Sequence, residues 1–408
     1  MRVWLRTWGC RANAYDTAQV DARLRRAGAV VVERAEDADV AILNSCAVTA
    51  EAVADLRQGA RRAARERPGL RTIVMGCAAA LDDGTLAALP GVQAVVAGGD
   101  VAAVAAVLGL PRDDHPAARQ AEARATLRVQ DGCDEHCTFC ATTLARGANR
   151  SRPVAALVDE AARLAEHHPE IVLTGIHVGT YGRDIATSLG ALLETLVVRV
   201  PGVRFRLASV EATELCDRLV ALLRDGGDRV APYVHAPLQS GSDPVLRRMG
   251  RHWYTAAAYA RAIERLTAGR AVFGLGADVI TGFPGESDAD HAATIALVQA
   301  LPFTHLHVFP WSPRPGTAAT KLGDVPPAAA SRTRAAELRA LGAAKGAAYA
   351  EGRAGGTADV VVVRGGADPG GITEDYLSVS CAEPAARRTR FAARLDIRPD
   401  GRLVAHPR

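Results

Sequence analysis

The sequence predicts an α/β chain in three parts: an N-terminal domain on a parallel sheet, a central partial (β/α)6 barrel and a small C-terminal β-barrel. Three observations predict this. Short apolar runs alternate with alanine-rich helical stretches from Val3 to Ala97. Six further strand-like runs alternate with helical stretches between Ala125 and Pro310, and from Thr357 onward the pattern turns to β-rich alternation broken by glycine turns. A length of 408 residues accommodates two or three domains, and a composition of 49% hydrophobic and 23% charged residues belongs to a globular chain.

In the first part, residues 1–110, the runs at 3–6, 40–44, 73–76 and 92–97 read as buried strands. The most apolar stretch, 92–110, carries Gln93, Asp100 and several glycines, which excludes a clean spanning helix. The opening MRVWLRTWGC has no uninterrupted apolar core of a signal peptide. A cytoplasmic chain is expected. Residues 111–124, beginning PRDDHPAARQAE, are polar and aperiodic and read as a linker.

The barrel, 125–326, has its expected strands at 125–130, 171–174, 204–208, 234–237, 273–280 and 305–310, with a helix over 153–167. Chemistry in such folds sits at the carboxyl ends of the strands. Residues 327–356, entered through Pro326 and Pro327, form a connecting helix, and 357–408 form the small β-barrel.

Positive side chains number 49 against 45 acidic ones, a net charge of +4 that does not by itself point to nucleic acid. Lys321 and Lys345 are the only lysines. Arginine's planar fork suits phosphate, but a GC-rich codon bias gives the same skew.

Eight cysteines in a reducing compartment point to metal ligands or catalytic thiols more than to disulfides. Cys133, Cys137 and Cys140 follow the first barrel strand in C-x3-C-x2-C spacing. Three thiolates so spaced hold three corners of a 4Fe-4S cluster and leave the fourth iron open. A zinc site including His136 is the competing reading, although no second ligand pair lies nearby. Cys10, Cys46 and Cys77 each follow a predicted strand, and loops at the carboxyl ends of neighbouring parallel strands converge. Three unrelated buried cysteines are the alternative. Cys216, on a predicted helix, and Cys381 read as structural.

The first spacing, with Phe139 before the last cysteine, resembles the radical S-adenosylmethionine superfamily. Taken with Cys10, Cys46 and Cys77, it resembles the methylthiotransferase family within it, over nearly the whole chain. The resemblance implies two 4Fe-4S clusters, one radical-generating on Cys133, Cys137 and Cys140 and one auxiliary on Cys10, Cys46 and Cys77, with S-adenosylmethionine as cofactor. It also implies that 357–407, including GITEDYLSV at 371–379, is an RNA-binding barrel of the TRAM type.

The segments IVLTGIHVGTYG (171–182), LNSCAVT (43–49) and ARGANRSRP (145–153) resemble the branch acting on N6-threonylcarbamoyladenosine beside the anticodon of tRNA. PLQSGSDPVLRRM (237–249) and DVITGFPGESDAD (278–290) are similar to the family at large. Ala141 to Leu144 and Ala14 depart from the family pattern beside the cysteines, which touches substrate choice more than cofactor binding. The expected reaction replaces the hydrogen on carbon 2 of the adenine by a methylthio group, a position no side-chain base can deprotonate at neutral pH. An isopentenyladenosine or a ribosomal-protein aspartate as acceptor, and a zinc-stabilised RNA-binding protein without catalysis, are the alternatives. The partners implied are a tRNA anticodon stem-loop, an electron donor such as flavodoxin or ferredoxin, and a sulfur donor, with no membrane.

Further candidates are open at this level. Thr174 and Gly175 let backbone approach the cofactor or make a tight turn. Ser209 and Glu211 bind the cofactor or cap a helix. Arg146 balances an anionic cluster or is solvated. Gly282 to Gly285 form a rigid turn. Arg57, Arg61, Arg62 and Arg65, and Arg387, Arg388 and Arg390, form two basic stripes that meet phosphate or water. Loss of 357–408 is expected to weaken tRNA binding and spare cofactor cleavage.

Overall fold

In a computed structural model describing residues 1–47, 50–113 and 115–408, the chain opens on five parallel strands in the order β2-β1-β3-β4-β5. These are β1 (Arg2–Trp8), β2 (Val30–Val32), β3 (Val40–Ser45), β4 (Arg71–Gly76) and β5 (Val92–Ala97), with helices α1 (Arg11–Arg26), α2 (Ala50–Glu66), α3 (Cys77–Ala80) and α4 (Val101–Val107). Alternation along β3 supplies both faces. Val40 and Ile42 pack with Val20 and Leu24 of α1, whereas Ala41 and Leu43 pack with Leu56 and Ala60 of α2. The sequence pattern missed β2, an edge strand too short to show a period, whose Val30 is exposed. Val48 and Thr49 of the 43–49 segment, and Asp114 of the expected linker, lie outside the described residues.

The centre contains β6 (Ala125–Arg128), β7 (Gln130–Asp131), α5 (Thr142–Arg146), β8 (Arg150–Ser151), α6 (Val154–Ala165), β9 (Glu170–Thr174), α7 (Leu189–Arg199), β10 (Arg204–Leu207), α8 (Asp217–Asp225), β11 (Tyr233–His235), α9 (Asp243–Arg248), α10 (Ala256–Thr267), β12 (Gly274–Thr281), α11 (Asp288–Ala300) and β13 (His305–Pro310). Strands β6, β9 and β10 pair in parallel, as do β11, β12 and β13. Parallel bridges Phe205–Val230 and Ser209–His235 join the two halves into an open barrel. Its core is aliphatic: Leu127, Leu173, Leu207, Val234, Leu275 and Val279 are buried against the surrounding helices. Cys216 precedes α8 and is exposed, so it is not the helical structural cysteine that the pattern predicts.

Helix α12 (Ala328–Arg353) leads to β14 (Thr357–Arg364), β15 (Gly370–Ile372), β16 (Ser378–Cys381), β17 (Arg390–Ile397) and β18 (Leu403–Pro407), which close as β14-β15-β16-β18-β17. Cys381 is buried in it.

Buried charge fastens this barrel to the centre. Glu170 of β9 accepts from Arg204 at 2.6 Å and from Arg206 at 2.8 and 3.0 Å. The same arginines donate onward to the backbone oxygens of Asp359, Thr373 and Glu374 in the small barrel. The expected stripe at 387–390 is spent the same way. Arg387 pairs with Glu122 at 2.9 Å, Arg388 donates to the Gln120 carbonyl at 2.6 Å, and Arg390 pairs with Asp359. Arg387 and Arg388 hold the barrel to the segment before β6, and Arg390 bonds Asp359 within the barrel and the Asp228 carbonyl of the centre, instead of presenting an open phosphate surface. In α2, Arg57 donates to Thr85 and Arg62 pairs with Glu66, while Arg61 and Arg65 face solvent.

Candidate active site

The carboxyl ends of β1, β3 and β4 lie side by side, with Trp8 level with Ser45 and Asn44 level with Met75. The residues that follow, Cys10, Cys46 and Cys77, therefore meet at one sheet edge. Cys10 and Cys77 both reach the Asn13 carboxamide oxygen, at 3.4 and 3.9 Å, and Asn13 is fixed by Asn44. Gly9 has φ 114°, and a Cβ there would collide with Cys46, so only glycine lets these loops close up. A hydrogen bond with Cys46 lowers the Cys10 thiol to about 6, helped by the charge of Arg146, whereas burial raises Cys77.

The second triplet sits in a loop bracketed by the β7–β8 ribbon. The Cys133 amide donates to the Gly147 carbonyl at 3.0 Å and the Asn149 amide to Asp134 at 2.9 Å. The far side is held by Thr138, bonded to the carbonyls of Met249 and Arg248 at 2.9 Å. Phe139 packs edge-on against fully buried Phe283, centroids 6.3 Å apart, with Val245, Met249 and Ala319 around them. The turn Gly282 to Gly285 thus anchors the cysteine loop by presenting Phe283 to it.

Both triplets line one cavity of about 640 Å³, between the sheet edge and the carboxyl ends of the barrel strands. Arg146 ties the short helix after the second triplet to the first triplet. It leaves the helix just after Cys140, is buried, and donates to Cys77 Sγ at 3.2 Å, to Asn13 at 3.2 Å and to Asp16 at 2.8 Å. The solvated alternative for this arginine is overturned. Burial pushes Asp16 up, against the opposing charges of Arg128 and Arg146. Arg146→Gln should leave Asp16 with Arg128 alone, costing about 3 kcal/mol in urea unfolding. In reconstituted protein it should lower iron at the N-terminal triplet while the barrel triplet keeps its own, which the iron-to-protein ratio and electron paramagnetic resonance will read.

Around the barrel triplet, Arg251 donates to Cys137 Sγ at 3.5 Å and to both Glu211 oxygens at 2.5 Å, and its guanidinium lies over Trp253 and Tyr254. Burial raises Cys137 to about 12 despite this neighbour. Cys133 Sγ lies 3.5 Å from His177 Nδ1, whose Nε2 contacts Glu214 at 3.0 Å. Burial would lower His177, but its bonds to Cys133 and Glu214 outweigh that and raise it to about 10. Thiol groups surrounded by cationic donors suit thiolates that carry a metal's negative surroundings. Cationic donors to sulfur, Arg146 at the first triplet and Arg251 and His177 at the second, fit an iron–sulfur cluster at each.

Thr174, Gly175, Ser209 and Glu211 all line the cavity. Gly175 is pressed against Gln130, whose side-chain oxygen accepts from the amides of Ile176 and His177 at 3.0 Å. Glu211 makes no helix cap and is committed to Arg251.

Sequence reasoning missed the opposite wall. His235, Asp278 and His307 project from adjacent strands β11, β12 and β13, with Asp278 3.0 Å from His235 and 3.2 Å from His307. The two imidazoles overcome burial and hold Asp278 below the usual carboxylate range, while burial lowers neighbouring His305 to about 3. The His-x-His alternation at 305–307, at the start of the last barrel strand, was the available signal. Tyr376, from the small barrel, stacks on Tyr233 with centroids 4.5 Å apart, and Arg11 bonds its hydroxyl at 2.8 Å.

Comparison with known proteins gives two family matches: Uncharacterized protein family UPF0004 over residues 2–98 and the Radical SAM superfamily over 127–298. The chain is similar to Threonylcarbamoyladenosine tRNA methylthiotransferase MtaB of Bacillus subtilis, 35% identical across 79% of this chain and 76% of that one. It is similar to the protein of the same name from Thermotoga maritima, 34% identical across 79% and 78%. A tRNA-2-methylthio-N(6)-dimethylallyladenosine synthase of Paracoccus denitrificans is 34% identical across 95% and 92%. Among solved structures, the radical S-adenosylmethionine methyltransferase TsrM of Kitasatospora setae, with cobalamin and a 4Fe-4S cluster bound, matches with a TM-score of 0.58 at 15% identity, across 78% of this chain and 76% of that one. That likeness is one of fold.

Proposed function

This chain belongs to the radical S-adenosylmethionine methylthiotransferases, and we propose that it converts N6-threonylcarbamoyladenosine beside the anticodon of tRNA to its 2-methylthio derivative. The observation that carries the reading is the single cavity faced by both cysteine triplets. A radical transfer to an unactivated ring carbon needs the radical source and the sulfur source aimed at one extruded base. When bound, the groups on Cys133, Cys137 and Cys140 and on Cys10, Cys46 and Cys77 supply reductive cleavage of S-adenosylmethionine and the methylated sulfur to be transferred.

The chain's own residues hold that arrangement. Arg251 and Arg146 place fixed positive charge beside Cys137 and Cys77, and Glu211 and Asp16 keep those arginines from turning away. Thr174, Gly175 and Ser209 form the floor where the cofactor's amino acid and ribose parts would lie. Tyr233 and Tyr376 offer stacked aromatic faces next to polar His235 and Asp278, a setting suited to a purine. A tRNA anticodon stem-loop is the substrate, an electron donor of the flavodoxin or ferredoxin kind delivers the reducing equivalents, and a separate donor replaces the sulfur. A cytoplasmic setting follows from the tRNA substrate, and no helix among the described residues is long and apolar enough to cross a membrane.

The test is to express the chain in cells whose tRNA contains threonylcarbamoyladenosine without its methylthio form and to analyse the digested nucleosides by mass spectrometry. Replacement of one hydrogen by a methylthio group on that nucleoside is expected. Methylthiolation of dimethylallyladenosine instead would move the acceptor to the one named for the Paracoccus relative.

A further inference from the structure

Arg11 and Arg251 are the arginines among the residues lining the cavity, and their electrostatic situations differ. Arg251 is neutralised by Glu211. Arg11 makes no ion pair among those found in the described residues. Its Nη2 donates to the Tyr376 hydroxyl at 2.8 Å, and its Nη1 is buried without a partner. A buried guanidinium donor with nothing to bond is costly, and such sites persist where a ligand completes them.

The surroundings are short of negative charge. Arg124 and Arg206 also face the Tyr376 ring, 5.4 and 5.2 Å from its centroid, and share the one carboxylate of Glu170 with Arg204, so positive charge is in excess here and Arg11 has no carboxylate of its own among the described residues. Arg11 is also the first residue of α1, whose first turn contains no acidic side chain, so the helix N-terminus adds to the positive potential. Burial alone would raise the Tyr376 hydroxyl, yet the three arginines hold it below its usual value. Tyr376 itself sits at φ 75° in the turn between β15 and β16, a conformation unfavourable for a non-glycine residue and maintained where the ring is presented to the cavity.

We propose that Arg11, braced by Tyr376, reads a carboxylate on the acceptor nucleoside: the free threonyl carboxylate that a threonylcarbamoyl group carries and a dimethylallyl group lacks. This rests on the acceptor assigned above. Charge-assisted recognition of this kind rejects an analogue without the charge, because the buried cation is then left unpaired. Arg11 is thus a specificity-determining residue, and the small C-terminal barrel supplies part of the specificity pocket.

The test uses stem-loop RNA bearing threonylcarbamoyladenosine and the same RNA with the threonyl carboxylate converted to the primary amide. The holoenzyme should prefer the carboxylate by about 10- to 100-fold in both Kd and kcat/KM. Arg11→Gln should bring that ratio to about 1 at wild-type iron and sulfide content, Arg11→Lys should retain part of it, and Tyr376→Phe should reduce it. A ratio that Arg11→Gln leaves intact, even if both RNAs bind more weakly, overturns the proposal and makes Arg11 structural. A wild-type enzyme that methylthiolates neither RNA overturns the acceptor assignment itself, and the proposal with it.

Discussion

Cys133→Ala should abolish methylthiolation, a loss on the order of 10⁶-fold or more, because the uncatalysed exchange at an aromatic carbon is immeasurably slow. Reconstituted variant protein should lose the iron and sulfide of one cluster and keep those of the other. The structure gives the reason for that independence. Cys133 is held by the β7–β8 ribbon and His177, whereas Cys10, Cys46 and Cys77 are organised by Asn13 and the parallel strand ends. Loss of both clusters from this single change would mean that the triplets share one metal site. Mössbauer spectra of the variant and of Cys10→Ala, which should show the reciprocal loss, decide between the two.

Glu170→Gln should lower the unfolding free energy by about 3–5 kcal/mol, read in urea by near-ultraviolet circular dichroism. It removes the counter-charge of two fully buried arginines and weakens the attachment of the small barrel. Burial would raise this carboxyl, but Arg206 and Arg204 overrule it and hold it well below the ordinary range. Its contribution is therefore complete above the unfolded glutamate value of about 4.3 and is lost as pH falls from there toward the depressed folded value. The wild type should exceed the variant by a constant margin above pH of about 5, and the margin should shrink in acid. The same network alters what truncation of 357–408 would do. Removal of these residues uncovers Arg204 and Arg206 and strips Tyr376 from the cavity, so it should impair the catalytic centre as well as weaken RNA binding.

Much of the fold was legible because strands buried on both faces announce themselves as continuous apolar runs. The runs at 40–44 and 171–174 became β3 and β9 for that reason. The cysteine triplets were legible because metal chemistry constrains spacing and strand ends constrain place. What the sequence did not show depends on partners remote in the chain. Nothing local distinguishes Arg146, buried against Cys77 and Asp16, from solvent-facing Arg61, nor the internally bonded Arg388 from a phosphate-binding arginine. His235, Asp278 and His307 come together only once three strands are in register.

The contact between Arg11 and Tyr376 joins residues 365 positions apart. A chain leaving the ribosome exposes its amino end first, and domains fold in the order they emerge. Every cysteine of both triplets is therefore made, and its supporting strand can pair, before the residue that walls off the cavity has been synthesised. Biogenesis gains an interval in which the thiols stand open to iron delivery, and it ends when the last barrel docks. The same timing leaves those thiols open to oxygen until the last barrel docks.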